Sequence, residues 1–265
     1  MQRSTVMNEV GATNMKHSDH HPSDQKPSLP DDIRKSLIQS GFVFATGEEM
    51  KSAFTPQELE SWPHFAESWN HLGLDRYMAD GGRYRRRRYG VFSLHDGHIT
   101  AKQHQPHYQS RDYNTLNGGV QRWFSPVEEA TGRNPLLLKI LGHLYHLATI
   151  LTPDAAQPEK WHAEMHQFRI EVAEEGTGNP TPEGLHRDGV DWVWVMMVAR
   201  QNVAEGVTSI HDLSKNEVGR FTLRNPLDSA FVDDHRVYHG VTPITRVDPS
   251  APGHRDVLVV TIRRA

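Results

Sequence analysis

The chain of 265 residues contains no cysteine. Disulfide-stapled secreted scaffolds are therefore excluded, and so are thiolate-held zinc and iron–sulfur centres. No apolar run approaches the roughly 18 residues that a membrane-spanning helix needs. The N-terminal stretch is polar and lacks the apolar segment of a signal peptide. The net charge is only −4, so the whole-molecule field favours neither nucleic acid nor an anionic membrane. A soluble, cytoplasmic protein with no nucleic-acid or membrane partner is expected, and assembly into a homo-oligomer is compatible with these features. The length suits one sizeable domain, and an all-β barrel of this size is ordinary.

Residues 1–30 are rich in Ser, Asp, His, Asn and Pro and have almost no apolar periodicity. They read as a disordered tail, with His17, His20 and His21 solvated. Residues 31–265 read as a single domain, with helical support and an arginine-rich strand over 31–160 and the core barrel strands over 161–265. Pro30-Asp31-Asp32 opens a helix whose stripe is Ile33, Leu37 and Ile38, and Gly41 closes it ahead of a strand at Phe42-Val43-Phe44. Thr55-Pro56-Gln57-Glu58 reads as an N-cap with Pro at the first helical position and Glu at the third, and Pro63 predicts a break soon after. Asn134 and Pro135 open a long helix with a broad apolar face from Leu136 to Leu151. His143 and His146 lie three apart on it and read as core-edge residues.

Arg83-Tyr84-Arg85-Arg86-Arg87-Arg88 leads a strand into a hairpin at His95-Asp96-Gly97-His98. Three readings fit the arginines: a nucleic-acid patch, a solvated edge strand, or alternate side chains facing a pocket to hold carboxylates. The loop from His104 to Gly119 is expected near the site. Beyond Pro153 the pattern changes to short strands over 166–172, 191–199, 207–212, 219–223, 229–233, 236–241 and 256–263, separated by turn signals. A parallel sheet needs a helix between strands, and none fits. The expected fold is mainly β with supporting helices, a cupin-like double-stranded β-helix or jelly roll. Trp192 and Trp194 share one face of a strand and read as packing.

The chemistry concentrates in Gly184-Leu185-His186-Arg187-Asp188-Gly189 and, about fifty residues on, Val237-Tyr238-His239-Gly240. In an extended segment residues i and i+2 point to the same side, so His186 and Asp188 converge while Arg187 looks away. With His239 they make two imidazoles and one carboxylate, which caps one face of an octahedral Fe(II) and leaves open positions for co-substrate and oxygen. The bland alternative is a loop hydrogen bond plus a core histidine. Fe(II) so held needs an electron source, and 2-oxoglutarate supplies electrons through oxidative decarboxylation to succinate and CO2, with ascorbate sustaining activity. Its far carboxylate needs a buried cation. Arg255, at the head of the last strand, is the candidate, since a guanidinium grips a carboxylate at two points. Thr242 or Thr208 can add a hydroxyl. Two other classes remain in play: a cupin-like metal-dependent isomerase or hydrolase using a metal-bound water, and a non-catalytic binding module with the arginine strand as its face.

His-Gln-Phe-Arg-Ile, Pro-Glu-Gly-Leu-His-Arg-Asp-Gly, Asn-Pro-Leu-Asp, Asp-Asp-His-Arg-Val-Tyr-His-Gly-Val-Thr-Pro-Ile and Gly-His-Arg-Asp-Val-Leu, in this order, resemble a bacterial family of 2-oxoglutarate/Fe(II) dioxygenases of the L-isoleucine dioxygenase type. The segment from Arg83 to Phe92 is also similar, and the resemblance covers about residues 35 to 263. It implies an oxidoreductase that hydroxylates a free aliphatic L-amino acid, or oxidises its thioether. It also implies iron at His186, Asp188 and His239, and 2-oxoglutarate at Arg255. A pocket for such a zwitterion needs a cation and an acceptor. Arg169 with Arg83, Arg85 or Arg87 is expected at the carboxylate, Glu171 or Asp191 at the ammonium, and His166 and Gln167 in the lining.

Overall fold

The structure is a computed structural model that describes residues 29–172 and 176–265. The tail expected over 1–30 lies outside the described residues, apart from Leu29 and Pro30. The helices are α1 (Asp31–Ser40), α2 (Gly47–Lys51), α3 (Pro56–Glu60), α4 (Trp62–Glu67), α5 (Glu129–Gly132) and α6 (Pro135–Leu151). The strands are β1 (Phe42–Ala45), β2 (Gly73–Leu74), β3 (Arg85–His95), β4 (His98–Ala101), β5 (Trp161–Val172), β6 (Trp192–Gln201), β7 (Val203–Glu205), β8 (Thr208–His211), β9 (Glu217–Phe221), β10 (Ser229–Asp233), β11 (Tyr238–Val241), β12 (Ile244–Arg246) and β13 (Gly253–Arg264).

Local chemistry sets the helix ends. In α1, Ile33 and Leu37 are one turn apart and buried, and Gly41 takes φ 79° so that its N–H caps Leu37. Thr55 and Glu58 form a reciprocal capping box at α3. Pro63 stands in the first turn of α4, where its missing N–H costs no hydrogen bond, so the chain starts a second helix there. In α6 the Asn134 side chain accepts from the Leu136 N–H, and Leu136, Leu137, Ile140, Leu141, Leu144, Leu147 and Ala148 are buried against the sheet. His143 is buried on the same helix and donates from Nε2 to the Ala53 carbonyl at 2.8 Å.

A large sheet runs β1-β10-β6-β13-β5-β3-β2, with β4 hairpinned onto β3. Asp96 and Gly97 both take positive φ in that hairpin, the requirement of a two-residue turn that follows the strand twist. A smaller sheet runs β11-β8-β9, and β12 pairs with β7. The named strands pair antiparallel throughout. Two facing antiparallel sheets of this kind, backed by helices on one side, are a jelly roll.

The large sheet is sorted by the two-residue period of its strands. On β13, Leu258, Val260 and Ile262 join the core cluster beneath α6. The alternate residues Arg255, Val257, Val259, Thr261 and Arg263 line a cavity on the opposite face. The register carries the same division across the sheet, pairing Arg255 with Ile170, Val257 with Phe168, Val259 with His166 and Thr261 with Glu164. Next along, Arg85 pairs with Ile170 and Arg87 with Phe168. One register thus decides which arginines face inward.

Candidate active site

His186 and His239 are brought together by backbone. Each residue's N–H donates to the other's carbonyl at 3.0 Å, forming an isolated bridge between the segment ahead of β6 and strand β11. His186 and Asp188 therefore sit in an extended loop ahead of the strand, not within it. Their approach relies on Gly240, where a Cβ would stand 3.1 Å from Leu185 and 3.4 Å from the Gly184 carbonyl. The Asp234 carboxylate accepts from the backbone N–H groups of Asp188, Gly189 and Val190 and holds the loop in shape.

His186 Nδ1 lies 3.0 Å from the Gly184 carbonyl, so Nδ1 carries a proton and Nε2 is the nitrogen that faces Asp188 and the position a metal would take. That nitrogen is 3.7 Å from Asp188 Oδ1, and His239 Nε2 is 3.5 Å from Asp188 Oδ2. One ligand atom from each of the three side chains lies within 4.8 Å of the others. Burial disfavours a charged His186, but the hydrogen bond and charge of Asp188, with Glu183 adding, raise its pKa to about 9. Burial pushes His239 down to about 4. The Asp188 carboxyl is held well below its usual range, since the imidazoles outweigh its burial. This field favours positive charge at one point, and the donors are those a ferrous ion takes.

The cavity holds about 410 Å3 and is lined by all three of these residues. Arg255 reaches it with 2 % exposure, and its Nε and NH2 have no hydrogen-bond partner. Burial, with the neighbouring Arg200 charge, lowers its pKa to about 10, which still leaves it cationic at neutral pH. A buried guanidinium with free donors facing a cavity is a receptor for a carboxylate.

A second cluster, His107, Glu164 and His166, also satisfies a metal-ligand spacing. Its proton arrangement argues otherwise. Arg87 NH2 donates to His166 Nδ1 at 2.6 Å, which leaves Nε2 as the protonated nitrogen, turned toward Glu164. His107 Nδ1 and His162 Nε2 lie 2.8 and 3.0 Å from the same carboxylate. The imidazoles thus present N–H groups, and Glu164 is a carboxylate in a cradle of donors.

The other sequence-predicted residues divide by face. Arg85, Arg87 and His166 line the cavity. Arg85 is engaged by Asp75 at 2.8 Å, and Arg87 lies over the Phe124 ring with 3.6 Å to its centroid. Arg169 and Gln167 have odd numbers on β5, so the strand period turns them away. Arg169 makes a two-point ion pair with Asp256, and Gln167 donates to Ser68. Glu171 is paired with Arg86 on the same outer face. Arg83 precedes β3 and is exposed. Asp191 is taken by the Arg264 backbone N–H and guanidinium and by His235. Thr242 accepts from the Val207 N–H and clamps a turn, whereas Thr208 lines the cavity. The roles expected of Arg169, Gln167, Arg83, Asp191 and Thr242 are therefore corrected: none lies in the cavity wall. The cavity contains residues the sequence reading did not single out, among them Gln109, Arg122, Glu164 and Glu183. A period-two count along 162–170 was the signal for Glu164, and Glu183 stood within a quoted motif. Gln109 Nε2 donates to the Asp188 carbonyl at 3.1 Å, so the 104–119 loop does reach the site.

A jelly roll with a two-histidine, one-carboxylate cluster in its cavity defines a class of metal-dependent enzymes. Comparison narrows it. The family model described as 2OG-Fe dioxygenase matches residues 66–261, and the chain belongs to that family. A crystal structure of a bsmA homolog from Methylobium petroleophilum PM1 is 35 % identical, with a TM-score of 0.78 over 89 % of this chain and 93 % of that one. The 3(1)-hydroxy-L-isoleucine 4-dioxygenase of Pantoea ananatis is 25 % identical over 236 residues, covering 86 % of this chain and 94 % of the relative. The L-isoleucine-4-hydroxylase of Bacillus thuringiensis is 28 % identical over 156 residues, covering 58 % of this chain and 64 % of the relative. The protein is an Fe(II)- and 2-oxoglutarate-dependent oxygenase. None of its described helices is long and apolar enough to cross a membrane.

Proposed function

We propose that the protein hydroxylates an unactivated C–H bond, or oxidises a thioether, of a free aliphatic L-amino acid such as isoleucine or leucine. Residues 31–265 act as its single dioxygenase domain, and the cavity between the sheets is its active site. The observation that carries the reading is that the His186–Asp188–His239 cluster and the unpartnered Arg255 guanidinium line one cavity. A metal-water hydrolase or isomerase has no use for that second feature. The activities for which the Pantoea and Bacillus relatives are named support the substrate class.

His186, Asp188 and His239 would hold Fe(II). When bound, it couples the oxidative decarboxylation of 2-oxoglutarate to transfer of one oxygen atom to substrate. The chain's own residues do the rest. The Gly184 carbonyl fixes the His186 tautomer, and Asp234 and Gln109 fix the Asp188 loop. Arg255 anchors the distal carboxylate of 2-oxoglutarate, and Thr208 offers a hydroxyl in the same cavity wall. Val193, Val195, Val257 and Val259 make the wall apolar, which excludes water and gives an aliphatic side chain its berth.

The test is incubation with Fe(II), 2-oxoglutarate, ascorbate and the twenty amino acids, followed by mass analysis. Succinate formation with a gain of one oxygen atom on an aliphatic amino acid is expected. Substrate-dependent succinate with no oxygenated amino acid refutes the substrate class.

A further inference from the structure

Two buried charged groups of the cavity wall, Glu183 and Arg122, each have an atom left without a partner, and neither is accounted for by iron or 2-oxoglutarate. The Glu183 side chain is 9 % exposed, and its Oε2 is buried with no hydrogen-bond partner. Arg122 is 2 % exposed, and its Nε is in the same condition. Both line the cavity, and Glu183 is among the charges that act on Arg122. A buried charged group with an unmade hydrogen bond is costly unless a ligand completes it.

We propose that Glu183 and Arg122 together read the two charges of a free α-amino acid, Glu183 accepting from the ammonium and Arg122 donating to the carboxylate. This rests on the amino-acid reading above and assigns residues to it. Competing groups are already engaged. Both Glu164 oxygens accept from imidazole N–H groups. Arg85 is held by Asp75. Arg87 also has an unpartnered Nε, but its NH2 donates to His166, its NH1 is 3.7 Å from Asp75, and its guanidinium is covered by the Phe124 and Phe168 rings. Arg255 belongs to the far end of the β13 row, six residues or about 20 Å along the strand from the row of Glu164.

Glu183 flanks the metal cluster without joining it. Its Oε1 is 3.7 Å from His186 Nε2, yet it is outside the group of ligand atoms that lie within 4.8 Å of one another. An ammonium on Glu183 is thus kept beside the metal position. Arg122 is tied to the same place through Gln109, whose Oε1 faces Arg122 NH2 at 3.5 Å while its Nε2 donates to the Asp188 carbonyl. The side chain of the bound amino acid is left facing the apolar wall. Esters, amides and N-acylated amino acids lose one charge and are excluded.

The experiment is an anaerobic calorimetric titration of the Fe(II)- and 2-oxoglutarate-loaded protein. The probes are L-isoleucine, L-leucine, L-valine, the des-amino acid 3-methylpentanoate and the des-carboxy amine 2-methylbutylamine. In the wild type, removing either charged group from the ligand weakens binding about 10- to 100-fold. Glu183→Gln, which keeps shape and fold, weakens L-isoleucine by a similar factor but leaves 3-methylpentanoate unchanged. Arg122→Lys and Arg122→Met weaken L-isoleucine and leave 2-methylbutylamine unchanged. Such pairwise loss, with no further loss when both partners are altered, is the mark of direct contact. Equal weakening of charged and truncated probes, or unaltered L-isoleucine affinity in the variants, overturns the assignment of these residues. If the wild type binds none of the three amino acids, the substrate reading beneath it falls as well.

Discussion

Arg255→Met should move stability and co-substrate affinity in opposite directions. In the free protein the guanidinium is buried with two nitrogens unpartnered. Its pKa is lowered from the ordinary guanidinium value to about 10, mainly by burial. A basic group whose folded pKa is depressed is penalised in the fold at every pH below that value, so the full effect is present at pH 7. At about 1.4 kcal/mol per unit this amounts to about 3 kcal/mol. Methionine fills much of the same space without a charge, so the ligand-free variant should melt several degrees higher, with about 10 °C as the ceiling for a chain of this size. Two charge-assisted hydrogen bonds to 2-oxoglutarate are lost, which weakens its binding at least about 100-fold. At a concentration 100 times the wild-type Kd, 2-oxoglutarate stabilises the wild type by about 2.7 kcal/mol and the variant by about 0.4 kcal/mol or less. Thermal denaturation of both proteins, with and without 2-oxoglutarate and with metal present, reads both effects. An equal rise in Tm on adding 2-oxoglutarate would remove Arg255 from the co-substrate site.

Replacing His186, Asp188 or His239 by Ala should each abolish metal retention and succinate formation while the protein stays folded; stoichiometric iron in any one variant after gel filtration excludes that residue from the coordination shell. Asp234→Ala leaves the N–H groups of Asp188, Gly189 and Val190 without their acceptor and should weaken metal affinity about 10- to 100-fold, read by competition with a chelator; an unchanged affinity counts against this support. His143 is buried neutral, its pKa pushed down by burial to about 4 despite its bond to Ala53. Its contribution is therefore complete above pH 6.5 and lost as pH falls toward 4, at up to about 1.4 kcal/mol per pH unit. His143→Gln should flatten the dependence of Tm on pH between 7 and 5, and identical slopes would show that other groups govern it.

Much of this molecule was legible before any coordinates. The capping residues Thr55, Glu58 and Asn134, the stop at Gly41 and the turn at Asp96-Gly97 act within a few residues, so their chemistry is local and reads directly. The positions of most barrel strands along the chain and the pair His186–Asp188 were equally plain. The short strands β7 and β12 were not, because three residues carry no period of their own and exist only by pairing with each other.

The amino-acid sequence by itself determined the alternation of Arg85 to Arg88, of His166 to Arg169 and of Arg255 to Val259, because successive side chains of a strand point to opposite faces. It did not determine which face was inward. That was decided when β5 paired with β13 and β3 in one register, turning Arg255, His166 and Arg87 into the cavity and sending Arg169 to Asp256 on the far side. The closure of His239 onto His186, and the placing of Glu183 and Arg122 in one cavity wall, likewise belong to the tertiary structure, since only packing brings distant segments to one cavity.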